Sequence, residues 1–427
     1  LSTAPIQLPP LGLRRASRAL RHPNYRRFFG GQFISVIGSW IHSIALGWLI
    51  WRLGVSPWLL GMLAFCNQGP ILLFGLFTGA IVDRCDRRKL VLCTQVGLTG
   101  LVSLLAVLTL SGYITGELAI VIALGLGLIS AFDLPGRQAL VVDLIERDDL
   151  SNALALNSVI FNGARLIGPA LGGALVGWVG EGWCFVLIAL AYLPLIVFLL
   201  RMQVPQRPPA VRRESLLAEI GEGLKYLRSE PEAARILLLV GLCSLTSVPY
   251  FSFLPMLSAT VLDGGPAGAG ILMSITGIGA LAAALRLALV DHLPALKPWP
   301  LRAALMLGVA QVALSFSHQF WLSALIAAPI GYAILTQNLA SNSLLQQQVP
   351  DALRGRLMSF YSMMLIGTVP IGAVICGAMA GHLGLPLTTL IGGLTCAMGA
   401  LLLAARDRFG PRRPHTPAAP PDSPTEL

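Results

Sequence analysis

Long apolar runs that do not alternate dominate this chain, each ended by Pro, Gly or a cluster of charge. Runs of about twenty residues match the roughly 30 Å hydrocarbon core of a bilayer. Continuous rather than period-two hydrophobicity selects helices over a β-barrel. The breakers predict helices at 28–51, 58–82, 90–111, 117–138, 150–178, 183–200, 235–260, 267–290, 301–317, 320–346, 356–380 and 385–405. One long hydrophilic interval, 201–234, interrupts the series. In it Leu216, Leu217, Ile220, Leu224 and Leu227 recur at helical spacing among Arg, Lys and Glu, which predicts an amphipathic helix on the membrane surface. The expected fold is an all-α membrane protein of twelve transmembrane helices in two six-helix pseudo-repeats. Its expected organisation is an arm (1–27), a first bundle (28–200), a linker (201–234), a second bundle (235–405) and a basic, Pro-rich disordered tail (406–427).

Composition supports the membrane reading. Of 427 residues 55% are hydrophobic and only 12% charged, with a mean hydropathy of +0.74. So few charges could not cover a soluble protein of this size. The net charge of +10 would suggest nucleic acid in a soluble chain, but its placement changes the meaning. All but two of the 30 Lys and Arg fall on one side if both termini are cytoplasmic, the exceptions being Arg52 and Arg165. That asymmetry predicts a multi-pass protein of a bacterial cytoplasmic membrane, with lipid as its surroundings and no nucleic-acid partner. The seven cysteines show no CxxC pair and read as small apolar residues, supporting neither a disulfide framework nor a metal site.

Glycines hint at duplication. Gly168, Gly173, Gly177 and Gly180 match Gly372, Gly377, Gly381 and Gly384 at a constant offset of about half the chain. Two parallel repeats with a binding site between them would produce such an offset.

Two motifs stand out. After the second run, "GAIVDRCDRRK" places Gly79, Asp83, Arg84, Arg87 and Arg88 in a tight basic turn, where Asp83 could cap a neighbouring helix or pair with an arginine. In the fifth run, "GARLIGPALGG" sets Ala164, Gly168 and Gly172 as a small-residue stripe, with Pro169 and Gly173 beside it. The stripe lets another helix approach backbone to backbone, with Thr276, Ala280 and Ala284 the expected facing positions. Pro169 bends the helix and frees a carbonyl.

The first motif resembles the hallmark loop of the major facilitator superfamily, G-x-x-x-D-R-x-G-R-R, with Asp86 at the second glycine. In that family the loop latches the cytoplasmic gate in the outward-facing state, a role the resemblance gives to Asp83, Arg84, Arg87 and Arg88. The second resembles the G-x-x-x-G-P-x-x-G-G motif of drug and metabolite antiporters, which is associated with export. Residues 133–173 and 219–238 are similar to the transmembrane secretion effector branch, which contains the enterobactin exporter. Members of that branch export siderophores, drugs or other metabolites by proton antiport. The R-x-x-Q-G arginine of many drug antiporters has no counterpart within 117–132.

Polar groups inside the runs are the remaining candidates. An ionisable side chain at mid-membrane costs about 2.5–3.5 kcal/mol on insertion scales, so it should face a partner or a wet cavity. Arg165 shares a helix face with Asn162 and Ser158, and either a cavity role or a structural pairing is open to it. Asp133 lies four residues before Arg137, a spacing that allows a gate-side ion pair or a proton carrier. His42 could titrate near neutrality or simply pack. Gln68 with Asn67, then Gln337, Asn338 and Asn342, with Tyr250 and Tyr361 as aromatic walls, complete a roomy polar site. Arg286 is expected to snorkel to the surface. No Walker loop, G-x-S-x-G or HExxH occurs, so no enzyme and no cofactor is expected. The leading expectation is a monomeric, proton-coupled exporter of a small organic molecule. An uptake symporter for a small polar solute and a lipid-handling or non-transporting receptor are the rivals.

Overall fold

The computed structural model describes residues 18–54, 56–82, 84–146, 149–202, 221, 225–289, 293–349 and 351–409. The helices are α1 (Pro23–Arg52), α2 (Pro57–Val82), α3 (Arg87–Leu110) and α4 (Gly116–Leu144). A run Leu150–Arg201 follows, divided at Gly180 into α5 (150–179) and α6 (181–201). The second half contains α7 (Pro231–Thr246), α8 (Gly265–Ala288), α9 (Trp299–Ser315), α10 (Phe320–Gln348), α11 (351–383) and α12 (Leu385–Phe409). Among the described residues ten helices are long and apolar enough to cross a membrane. Division of Leu150–Arg201 and the shorter apolar Trp299–Ser315 account for the twelve expected.

Local chemistry sets the ends. Asp86 caps α3 by accepting from the Lys89 backbone N–H at 3.1 Å, and Thr115 caps α4 through Leu118. Pro23, Pro57 and Pro231 occupy first turns, where a missing N–H costs nothing. Gly180 (φ 81°, ψ 166°) and Gly384 (φ 80°, ψ 160°) take a conformation closed to side-chain-bearing residues and separate α5 from α6 and α11 from α12.

Three details depart from the sequence expectation. α4 runs on to Leu144 with Pro135 inside it, because the chain stays apolar beyond 138. The seventh run is not one helix. α7 ends at Thr246, and a 3₁₀ turn Val248–Phe253 and a short helix Leu254–Thr260 follow, each opening with a proline that cannot donate. α11 contains a π turn, Met363–Gly367. In the linker Leu216, Leu217, Ile220 and Leu224 lie outside the described residues, as do the start of the arm and the tail beyond 409. Residues 225–229 are helical, and Leu227 and Tyr226 pack against the core of the second half.

Within the first half α1 is clasped between α5 and α6. Gly168 and Gly172 of α5 back onto Trp40 and Ile41, while Gly31 and Gly38 of α1 back onto Leu195 and onto Ala191 and Tyr192 of α6. This corrects the expected partner of the small-residue stripe. Gly168 and Gly172 face α1 within their own half, not Thr276, Ala280 and Ala284. Pro169 and Gly173, about 100° further round the helix, are the pair that meets α8.

Candidate functional site

The two halves join along two related seams, α5 with α8 and α2 with α11. In the first, Gly173 lies against Pro266 and Gly270, Gly270 lies against Pro169, and Ser274 Oγ accepts the Ala170 backbone N–H at 3.0 Å. In the second, Gly377 lies against Pro57 and Gly61, Gly61 against Ala373, and Gly367 against Leu72. Most glycines here have no room for a methyl. A Cβ on Gly173 would come 2.5 Å from the Pro266 carbonyl oxygen, and one on Gly377 would come 2.8 Å from that of Pro57. These approaches all lie from mid-span toward the end opposite the Arg-rich turns at 84–89, 286 and 354.

Arg165 sits at the inner limit of the α5–α8 seam. Pro169 has no N–H to give the Arg165 carbonyl four residues earlier, and Gly277 of α8 packs against that carbonyl. The guanidinium is half-buried, lies within electrostatic reach of Tyr250, and makes no hydrogen bond or ion pair among the described residues. The buried Tyr250 hydroxyl is 3.0 Å from Thr276 Oγ1, which itself donates to Leu272 O. Ser158 and Asn162, toward the Arg-rich end of α5, are exposed and bond back to their own helix, Ser158 to Leu154 O and Asn162 to Ser158 O.

Asp133 and Arg137 form a buried ion pair of 2.7 Å inside the first half. Thr94 Oγ1 and Gln95 Nε2 donate to Asp133 Oδ1 at 2.7 and 2.8 Å, and Arg137 Nη2 donates to Ser35 Oγ at 3.1 Å. The charge is thus wired to α1 and α3, while the neighbouring Gly136 backs onto Leu90 and Val91 and Arg87 of the hallmark turn donates to Ala139 O. Thr94, Gln95 and Ser35 carried no signal in the sequence, being polar residues in apolar helices far along the chain from Asp133.

Of the hallmark motif, Gly79 lies in the last turn of α2 and Asp83 lies outside the described residues. Arg84 is exposed. Arg87 Nη1 reaches both carboxylate oxygens of Asp143 on α4, at 2.9 and 3.0 Å. Arg88 donates to Leu199 O and Leu200 O at 2.6 and 2.9 Å, so its charge meets the negative end of α6. Arg52, at the far end, pairs with Glu181 at 2.8 Å. Arg286 is exposed, lies 4.5 Å over the Trp299 ring and donates to Tyr332.

The other candidates separate. Tyr361 donates to Asn338 O at 2.8 Å with Asn342 beside it, and Asn342 Oδ1 accepts from Gln346. Gln68 is half-buried and Asn67 lies where α4 crosses α2 at Gly127. His42 is buried against Phe185 at 5.7 Å, with neither ring nitrogen hydrogen-bonded among the described residues. Gln337 is likewise buried without a partner for its amide, as are the hydroxyls of Thr336 and Ser341 on the same helix.

Known proteins match along nearly the whole chain. The family model described as transmembrane secretion effector matches residues 16–410. The staphyloferrin A transporter of Staphylococcus aureus is 27% identical over 376 residues, covering 86% of this chain and 92% of that protein. The enterobactin exporter EntS of Shigella boydii is 26% identical over 391 residues, covering 90% of each. Among solved structures the nucleoside transporter NupG superposes with a TM-score of 0.71 at 15% identity, covering 90% of this chain and 99% of that one. At that identity the likeness establishes the twelve-helix fold alone.

Proposed function

We propose, for a chain that belongs to the transmembrane secretion effector family of major facilitator transporters, the work of a proton-driven exporter of a small organic molecule such as a siderophore, drug or metabolite. The observation that carries the reading is the pair of closed seams on one side of a mid-span arginine. With the basic turns in the cytoplasm, these seams shut the outer side and leave the site approached from within. The bundles 28–200 and 235–405 then rock against each other as a monomer. In the opposite state the hallmark turn, with Asp83, Arg84, Arg87 and Arg88, latches the inner side. Export is also the direction named for the enterobactin exporter and the one associated with the Gly-Pro-Gly-Gly motif of α5.

Proton coupling needs a group that trades a proton against conformation. Asp133, tied to Arg137 within the first half, is the carboxylate proposed for it. Movement of α4 against α1 and α3 would separate Asp133 from Thr94 and Gln95 and Arg137 from Ser35.

The test is accumulation of a labelled siderophore or dye in cells lacking their own exporters, with and without the expressed protein and an uncoupler. Export predicts lower accumulation that the uncoupler abolishes. Export that persists after the gradient collapses excludes antiport, and accumulation above the control excludes export in favour of uptake.

A further inference from the structure

Arg165 is a fixed cation at mid-span, and no carboxylate among the described residues pairs with it. The carboxylate deepest in the spans, Asp133, is already committed to Arg137, Thr94 and Gln95. Glu181 is held by Arg52 and Asp143 by Arg87, both near helix ends. Tyr250, within electrostatic reach of Arg165, has its hydroxyl occupied by Thr276 and carries no charge to neutralise. Other buried cations are treated differently, since Arg137 has both a carboxylate and a hydroxyl.

Position makes the lack of a partner consequential. Arg165 stands where the α5–α8 seam gives way to exposed Asn162 and Ser158, so it ends the accessible stretch of α5. Pro169 has no N–H to give the Arg165 carbonyl, which faces Gly277 of the other half. The residue thus stands at the junction of the halves, its backbone carbonyl against Gly277 and its guanidinium within electrostatic reach of Tyr250. A bare cation in the membrane interior is costly, and an unpaired one is retained where a ligand or a wet cavity supplies the missing partner. A guanidinium binds planar oxyanions in two parallel hydrogen bonds, which makes it a selective rather than a merely attractive cation.

We infer that the transported molecule is an organic anion whose carboxylate or comparable oxyanion docks on Arg165 at the junction of the halves. The inference rests on the transporter reading above and adds the charge of the cargo. Anion binding between Arg165 and the α7–α8 wall also gives the cargo a grip on both halves, the requirement for a ligand that biases alternating access.

The probes are citrate and benzoate, each set against a neutral counterpart, trimethyl citrate and benzamide. Binding is measured on the purified full-length protein by calorimetry and by the shift in Tm, for the parent and for Arg165→Gln and Arg165→Lys. The expected result is binding of at least one anion, no binding of its neutral counterpart, a loss of tenfold or more in Arg165→Gln, and partial retention in Arg165→Lys. Equal binding of anion and counterpart, anion binding untouched by Arg165→Gln, or no anion bound by the parent would each overturn the inference. Unliganded Tm values of the variants separate lost binding from lost folding. Uptake and efflux measured in parallel distinguish the two readings. Uncoupler-sensitive efflux of a neutral dye that Arg165→Gln leaves intact removes the anion site and keeps the exporter.

Discussion

Gly180 and Gly384 hold the same backbone conformation, φ 81° and ψ 166° against φ 80° and ψ 160°, at corresponding points of the two halves. The correspondence extends inward. Gly168 backs onto Trp40 of α1, and its counterpart Gly372 backs onto Leu245 and Pro249 at the end of α7. Gly173 seals α5 to α8, and its counterpart Gly377 seals α11 to α2. Each repeat thus spends one glycine on turning, one on its own first helix and one on the other half.

Substitution at the turning glycines should cost stability without any clash. A Cβ at Gly180 meets nothing within 4 Å, so Gly180→Ala isolates backbone strain. We expect a loss of about 1–3 kcal/mol, read as a lower Tm in detergent, with Gly384→Ala close to it. An unchanged Tm for both would contradict the assigned conformation.

At the seams the same kind of change should act on the conformational cycle. Gly173→Leu and Gly377→Leu push a side chain into opposing backbone and should prise the seams apart. Transport is expected to fall at least tenfold, while spin-label distances across α5–α8 and α2–α11 at the sealed end increase. The labels require a background without the exposed Cys85 and Cys93. Distances that stay at parent values would show that the seams tolerate a side chain.

The Asp133–Arg137 pair offers a thermodynamic cycle. Arg137→Gln leaves a buried carboxylate with only Thr94 and Gln95 and should cost about 3–5 kcal/mol. Removing both charges with Asp133→Asn and Arg137→Gln should recover a substantial part of that. A double variant as unstable as the sum of the single ones would mean the pair is not coupled.

Arg87→Ala removes the cation that spans both oxygens of Asp143. The arginine is partly solvated, so the expected loss is modest, about 1 kcal/mol. The larger effect should be on transport rate, because the turn and α4 would no longer move together. A rate equal to the parent would leave the interaction a local tie only.

The pattern of apolar runs and breakers was sufficient for the membrane class and the number of helices. Each of these is local or periodic along the chain. A run of twenty apolar residues must cross a bilayer as a helix whatever it touches, and Pro169 bends its helix wherever it packs. Contact partners are another matter. Lipid and protein interior are equally apolar, so a membrane helix carries little amphipathic signal to say which face meets which neighbour. For that reason the stripe of Gly168 and Gly172 was assigned to α8 when it serves α1. Thr94 and Gln95 could not be read as the shell of Asp133, and His42, a credible cavity residue by depth, lies against Phe185. Arg165 was visible as an anomaly in the sequence. Only the tertiary structure, by committing Asp133 elsewhere and setting Arg165 at the end of a seam, decided that its counter-charge is not part of the described protein.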